Sequence, residues 1–155
     1  MGRRERVPRR LTVDGTVWLW SVGHLHPPCR ELLTLRRADT PHAQLRLVFQ
    51  EGPGRVTRGG YMGAGQVADT GDGHLNLNEP GVVRRFLDEA TARALLPTAH
   101  GLHETDGWPL FDALVTAGRQ ERANVADEGL SDGSGRIRER RHGVVPCSRA
   151  PKDRP

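Results

Sequence analysis

One lysine, one isoleucine, one tyrosine and two cysteines stand in a chain of 155 residues, and each scarcity excludes something. Cys29 and Cys147 lie far apart and make no disulfide framework, so the expected setting is a reducing, cytoplasmic one. No apolar run approaches the length needed to cross a bilayer, and the basic opening MGRRERVPRR is not followed by the apolar stretch of a signal peptide. No membrane partner is therefore expected. Aromatic residues make up 5% of the chain, which leaves few platforms on which nucleic-acid bases could stack. The shortage of lysine and isoleucine is what GC-rich codon usage produces. Arginine supplies every basic residue except Lys152, and that excess reflects the same bias before it reflects phosphate binding.

The length suits one domain with a modest core. A formal charge of +4 suggests nucleic acid until it is divided along the chain. Residues 1–10 hold five Arg and one Glu, and residues 117–155 hold nine basic against six acidic residues. The stretch 11–116 has nine basic against twelve acidic residues, so the positive charge belongs to the ends. This division predicts a basic disordered arm over 1–10, one folded domain over 11–116 and an arginine-rich disordered tail over 117–155.

Within 11–116 the first ordered signal is LTVDGTVWLWSV, residues 11–22. Asp14-Gly15 is a two-residue hairpin loop, because glycine tolerates the positive φ that such turns require. Beyond it Trp18, Trp20 and Val22 share one face, which reads as core. HLHPPC then interrupts the strand. ELLTLRRA (31–38) and AQLRLVFQ (43–50) are the next extended runs, with short strands expected near 66–68 and 74–77. Asn78-Glu79-Pro80 reads as a helix start with Asn78 as N-cap. Val83, Phe86, Leu87, Ala90, Ala94 and Leu95 follow at helical spacing, with Arg84 and Arg85 outside that stripe. A shorter second helix is expected from Asp106-Gly107-Trp108-Pro109 to about Gly118, carrying Leu110, Phe111, Leu114 and Val115. Strands first and helices after them predict an α+β fold: an antiparallel sheet of four to five strands, covered on one face by one main helix and a shorter second helix.

The V-D-G hairpin with tryptophan (Val13-Asp14-Gly15, Trp18, Trp20), the Pro-x-Val-Val helix start (Pro80 to Val83) and the Gly-Trp element (Gly107-Trp108) together resemble a small domain of high-GC bacterial proteins. The resemblance spans about residues 11–112. It implies the same α+β fold and carries no activity with it.

His24, His26 and Cys29 form H-x-H-x-x-C, the best local set of metal-capable ligands, with zinc the ion it would suit. Alternate residues of a strand share a face, so both imidazoles could meet one ion; His42, His100 and His103 are the remaining candidates for a fourth ligand. The plainer reading is a polar strand end with a small thiol. ADTGDGHLNLNE, 68–79, approaches a calcium loop but has Ala68 where the leading carboxylate belongs, so a turn followed by a helix start explains it better. Gly59, Gly60, Gly63 and Gly65 lead to Gln66-Val67-Ala68 rather than into a helix, which argues against a phosphate cradle. His103 and Glu104 are an acid and base adjacent in sequence, expected in a solvated interhelical loop. Arg136, Arg138, Arg140 and Arg141, with Arg3, Arg4, Arg6, Arg9 and Arg10, could contact phosphates.

The function expected first is therefore a non-catalytic interaction or regulatory module whose partner is another protein, because one-sided sheets leave a face or an edge open. Nucleic-acid binding through the basic ends comes second. A zinc-dependent enzyme using His24, His26 and Cys29 comes third.

Overall fold

Asp14 and Gly15 both have positive φ, 49° and 77°, and between them they close the first hairpin. Its arms are β1 (Arg9–Val13) and β2 (Thr16–Leu25), and β3 (Arg30–Arg37) and β4 (Ala43–Gln50) continue the sheet antiparallel. These elements belong to a computed structural model that describes residues 7–57 and 64–131. After β4 come β5 (Arg55–Thr57), β6 (Gln66–Asp69), β7 (His74–Asn76), α1 (Pro80–Ala92), β8 (Gly101–Asp106) and α2 (Trp108–Ser131). The main sheet has the order β1-β2-β3-β4-β8, and β5, β6 and β7 form a separate three-stranded sheet. The fold is α+β, with a mostly antiparallel five-stranded sheet and two helices.

One face of the main sheet makes the core. Trp18, Trp20 and Val22 of β2, Leu33 and Leu35 of β3, and Leu45, Leu47 and Phe49 of β4 are buried there at period two. Val83, Phe86, Leu87 and Ala90 of α1, Leu110, Phe111, Leu114 and Val115 of α2, and Val67, Leu75 and Leu77 around the small sheet join the same cluster. Each fully buried leucine or phenylalanine contributes about 1.5–3 kcal/mol relative to an exposed position. Phe49 lies at the centre, edge-on to Phe86 at 5.6 Å and to Trp108 at 5.4 Å. Arg55 ties β5 to α2 through paired bonds of 2.7 Å to Asp112 while its guanidinium lies 4.9 Å from the centre of the Trp108 ring.

Four expectations change. The fifth strand, β8, contains His103 and Glu104, expected in an interhelical loop, and Asp106, expected at a helix start, and it pairs parallel to β4 from Ala43↔Gly101 to Val48↔Asp106. The long excursion through β5, β6, β7 and α1 supplies the crossover that a parallel pairing requires. The second helix is the longer one, at 24 residues against 13. Apolar residues thin out after Gly118, but Ala117, Gln120, Glu121, Arg122, Ala123 and Ala126 are good helix formers, and Arg119 is held by Asp72. The described strands and helices thus run from Arg9 to Ser131. Asn78 does not cap α1: the N-cap is Glu79, without a side-chain bond, and Asn78 Nδ2 donates instead to the Ala64 carbonyl at 2.7 Å. Arg85 is not idle on the helix surface either, since it donates to the Leu114 carbonyl at 2.6 Å.

No helix among the described residues is long and apolar enough to cross a membrane.

Candidate functional site

The β2–β3 hairpin contributes to two features, a side-chain cluster at its turn and a groove along one face of the sheet. In its ladder His24 stands directly opposite Glu31. Glu31 has the same parity as Leu33 and Leu35, so its side chain faces the core side, and it is 0% exposed. A buried carboxylate is costly unless donors meet it. Two do: His24 Nδ1 lies 2.7 Å from Oε1, and the Gly65 backbone N–H donates to Oε2 at 2.8 Å. Gly65 can approach this closely because it lacks a side chain. Its φ is +99°, and a Cβ there would lie 2.5 Å from Asn78 Nδ2 and 3.0 Å from Val22 Cγ1.

Beyond β2 the chain turns through Pro27 and Pro28. This turn brings His26 Nδ1 to 2.9 Å from Cys29 Sγ, and the His26 ring lies nearly parallel to that of His24, 6.3 Å away. One ligand atom each from His24, His26 and Cys29 falls within 4.8 Å of the other two. His24 is half-buried, Cys29 is partly covered and His26 is exposed. The backbone holds Cys29 in place, because its carbonyl accepts the Glu51 N–H at 3.3 Å. The structure therefore assembles all three residues of the H-x-H-x-x-C motif. His42, His100 and His103 are not near them. His42 and His100 are neighbours at 5.6 Å where β4 and β8 begin, and His103 lies opposite Leu45, toward the far end of the sheet.

The second feature is a groove of about 1000 Å³ on the face of the main sheet opposite the core. Leu19, Leu25, Leu32, Thr34, Arg36 and Arg46 are among its walls, and the Val7–Pro8 segment closes one side. Among the described residues its charged lining side chains are arginines, with no carboxylate. Arg46 is positioned by Thr34 Oγ1 at 3.3 Å and by Glu104 of β8 at 3.0 Å. Leu25 is 40% exposed and Val7 86%, so the groove also offers apolar surface.

Other candidates are accounted for by local contacts. In 68–79, Asp69 Oδ1 accepts the N–H groups of Gly71 and Gly73 at 2.8 and 2.9 Å, which makes a turn between β6 and β7. Asp72 is engaged by Arg119, whose hydrogen bond holds its carboxyl below the usual carboxylate range. His103 Nε2 meets the Ala99 carbonyl at 3.2 Å, while Glu104 pairs with Arg46 across the sheet. Successive residues of a strand point to opposite faces, so His103 and Glu104 do not act together. Trp18, Trp20 and Trp108 are 9%, 1% and 7% exposed and face the core. Arg9 donates to the Asn78 carbonyl at 3.0 Å and lies over the Trp20 ring, so it serves the fold. Arg3, Arg4, Arg6, Arg136, Arg138, Arg140, Arg141, Cys147 and residues 58–63 of the glycine-rich loop lie outside the described residues.

Comparison of the chain with family models, with curated proteins and with solved structures finds no match.

Proposed function

We propose that the protein is a non-catalytic interaction module that holds an extended, acidic segment of another protein along the open face of its main sheet. The observation that carries this reading is the lining of the groove, which among the described residues contains Arg36 and Arg46 and no carboxylate, with Arg46 paired to Glu104 of β8 and Arg36 left as its cation. A segment alternating aspartate or glutamate with aliphatic residues matches it, with an acid meeting Arg36 and aliphatic groups meeting Leu19, Leu25 and Leu32. Arginine suits this work because its planar fork takes a carboxylate through two bonds. Solvent-accessible ion pairs contribute only about 0–1 kcal/mol each, so apolar contact supplies most of the affinity and Arg36 supplies selectivity. A free thiol at Cys29 fits the reducing cytoplasm as the place of action. The nucleic-acid reading is less favoured, because the three tryptophans turn their rings into the core and leave none of them for base stacking.

Selection from a display library of random peptides on the full chain tests this. Enriched peptides should combine Asp or Glu with Leu, Ile or Val, and should lose binding to an Arg36→Glu variant. Enrichment of basic peptides, or acidic peptides indifferent to Arg36→Glu, would contradict it. So would oligonucleotide binding that survives about 150 mM salt, where loosely held phosphate contacts are largely screened.

A further inference from the structure

An interaction module needs no thiol and no pair of imidazoles gathered on one hairpin turn. We propose that His24, His26 and Cys29 bind a divalent ion of the zinc type, with Glu31 as the carboxylate behind His24.

The donor set comes first. Two imidazoles and a thiol are nitrogen and sulfur ligands, which favour zinc-like ions over calcium or magnesium, whose ligands are oxygens. The second support is the way His24 is held. An ionised Glu31 can only accept, so the 2.7 Å contact calls for a proton on Nδ1, and in the neutral ring that tautomer leaves the Nε2 lone pair for a metal. Glu31 is fully buried and fixed in turn by the Gly65 N–H, so the ring is held in one orientation and one tautomer. A carboxylate behind a ligating histidine is how metal sites set ring orientation and raise ligand basicity.

Charge is the third support. Ligation replaces the Cys29 thiol proton with the metal, and a divalent cation offsets the thiolate charge so formed. Distance is the fourth. Metal bonds of about 2.0–2.1 Å to nitrogen and about 2.3 Å to sulfur place tetrahedral donors roughly 3.3–3.6 Å apart. The His26–Cys29 contact of 2.9 Å is shorter than that span and the full set, within 4.8 Å, reaches beyond it, so the donors must spread and close by a few tenths of an ångström to about 1 Å. His26 is exposed, so rotation of its side chain closes the site without moving the core. The His24 ring is oriented by Glu31, and the Cys29 backbone is anchored by the Glu51 N–H. Three protein ligands leave a fourth position toward solvent, which water takes.

The test uses cobalt(II), a spectroscopic stand-in for zinc, on the full reduced chain carrying Cys147→Ser, so that any thiolate signal belongs to Cys29. One equivalent of cobalt should produce a thiolate-to-metal charge-transfer band and the visible bands of a tetrahedral ion, and zinc should abolish both. Cys29→Ser should remove the charge-transfer band. His26→Gln, at an exposed position, should weaken binding by about tenfold or more. Glu31→Gln should weaken it by about 10–100-fold, the usual effect of losing the carboxylate behind a ligand. Should Glu31→Gln fail to fold by circular dichroism, the Cys29 and His26 variants decide the matter. A chain that gives no charge-transfer band with excess cobalt overturns the proposal. Cobalt affinity unchanged by His26→Gln overturns it as well, and so does folded Glu31→Gln protein that binds as tightly as the parent.

Discussion

Replacing Gly65 with alanine should destabilise the protein far more than the same change at Gly15, although both glycines have positive φ. The conformational cost is shared. A side chain in this region costs about 1–2 kcal/mol, and at Gly15 nothing lies within 4 Å of the new Cβ, so the penalty stops there. At Gly65 the Cβ would stand 2.5 Å from Asn78 Nδ2 and 3.0 Å from Val22 Cγ1. Relief requires the Asn78 amide to leave the Ala64 carbonyl, at about 0.5–1.5 kcal/mol, and overpacking against Val22 adds about 1–3 kcal/mol. The total at Gly65 is about 3–6 kcal/mol, a large share of the ~5–15 kcal/mol that holds a domain together. Urea unfolding followed by tryptophan fluorescence reads both variants, because Trp18, Trp20 and Trp108 are buried in the core. Equal costs at the two glycines would refute the close approach of Gly65 to Asn78, and with it the delivery of the Gly65 N–H to Glu31.

Phe86→Ala should cost about 3–5 kcal/mol in the same assay, since it empties a fully buried site edge-on to Phe49; a loss under about 1 kcal/mol would mean α1 packs by another face. Arg85→Ala should cost about 1 kcal/mol, because the Leu114 carbonyl loses its donor, and a neutral result would show that this link does not persist in solution. Asp72 should titrate below the usual carboxylate range, since the hydrogen bond from Arg119 favours its ionised form. Its stabilising contribution is therefore present above the unfolded carboxylate pKa and is lost as pH falls through the lower folded value. Carbon-detected NMR titration should show Asp72 moving back up in Arg119→Gln, and an unmoved Asp72 would mean that α2 past Gly118 does not lie against the β6–β7 turn.

How much the sequence disclosed follows from which forces acted locally. The β1–β2 hairpin was legible because Asp-Gly specifies its own turn, and the inward tryptophans because half-buried strands alternate. β8 was not legible: five of its six residues are exposed, Leu102 is its only large apolar residue, and its pairing with β4 is decided by the crossover. The length of α2 was misjudged because helix propensity continues after the apolar stripe stops. Tertiary partners likewise redirected Asn78 to Ala64 and Arg85 to Leu114. The H-x-H-x-x-C cluster could be read directly, but the residue that orients it could not be read from spacing alone. A signal for Glu31 was present nonetheless, as an acid at the parity of Leu33 and Leu35 on the core face, where a charge must have partners.

The most direct test of the interaction reading is amide chemical-shift mapping on the isotope-labelled full chain, titrated at about 150 mM salt with a synthetic peptide alternating glutamate and leucine. The account predicts that the largest shifts fall within residues 19–25, 32–36 and 44–46 and disappear in Arg36→Glu. Shifts concentrated on the helices or the basic ends, or unaltered by Arg36→Glu, would contradict it.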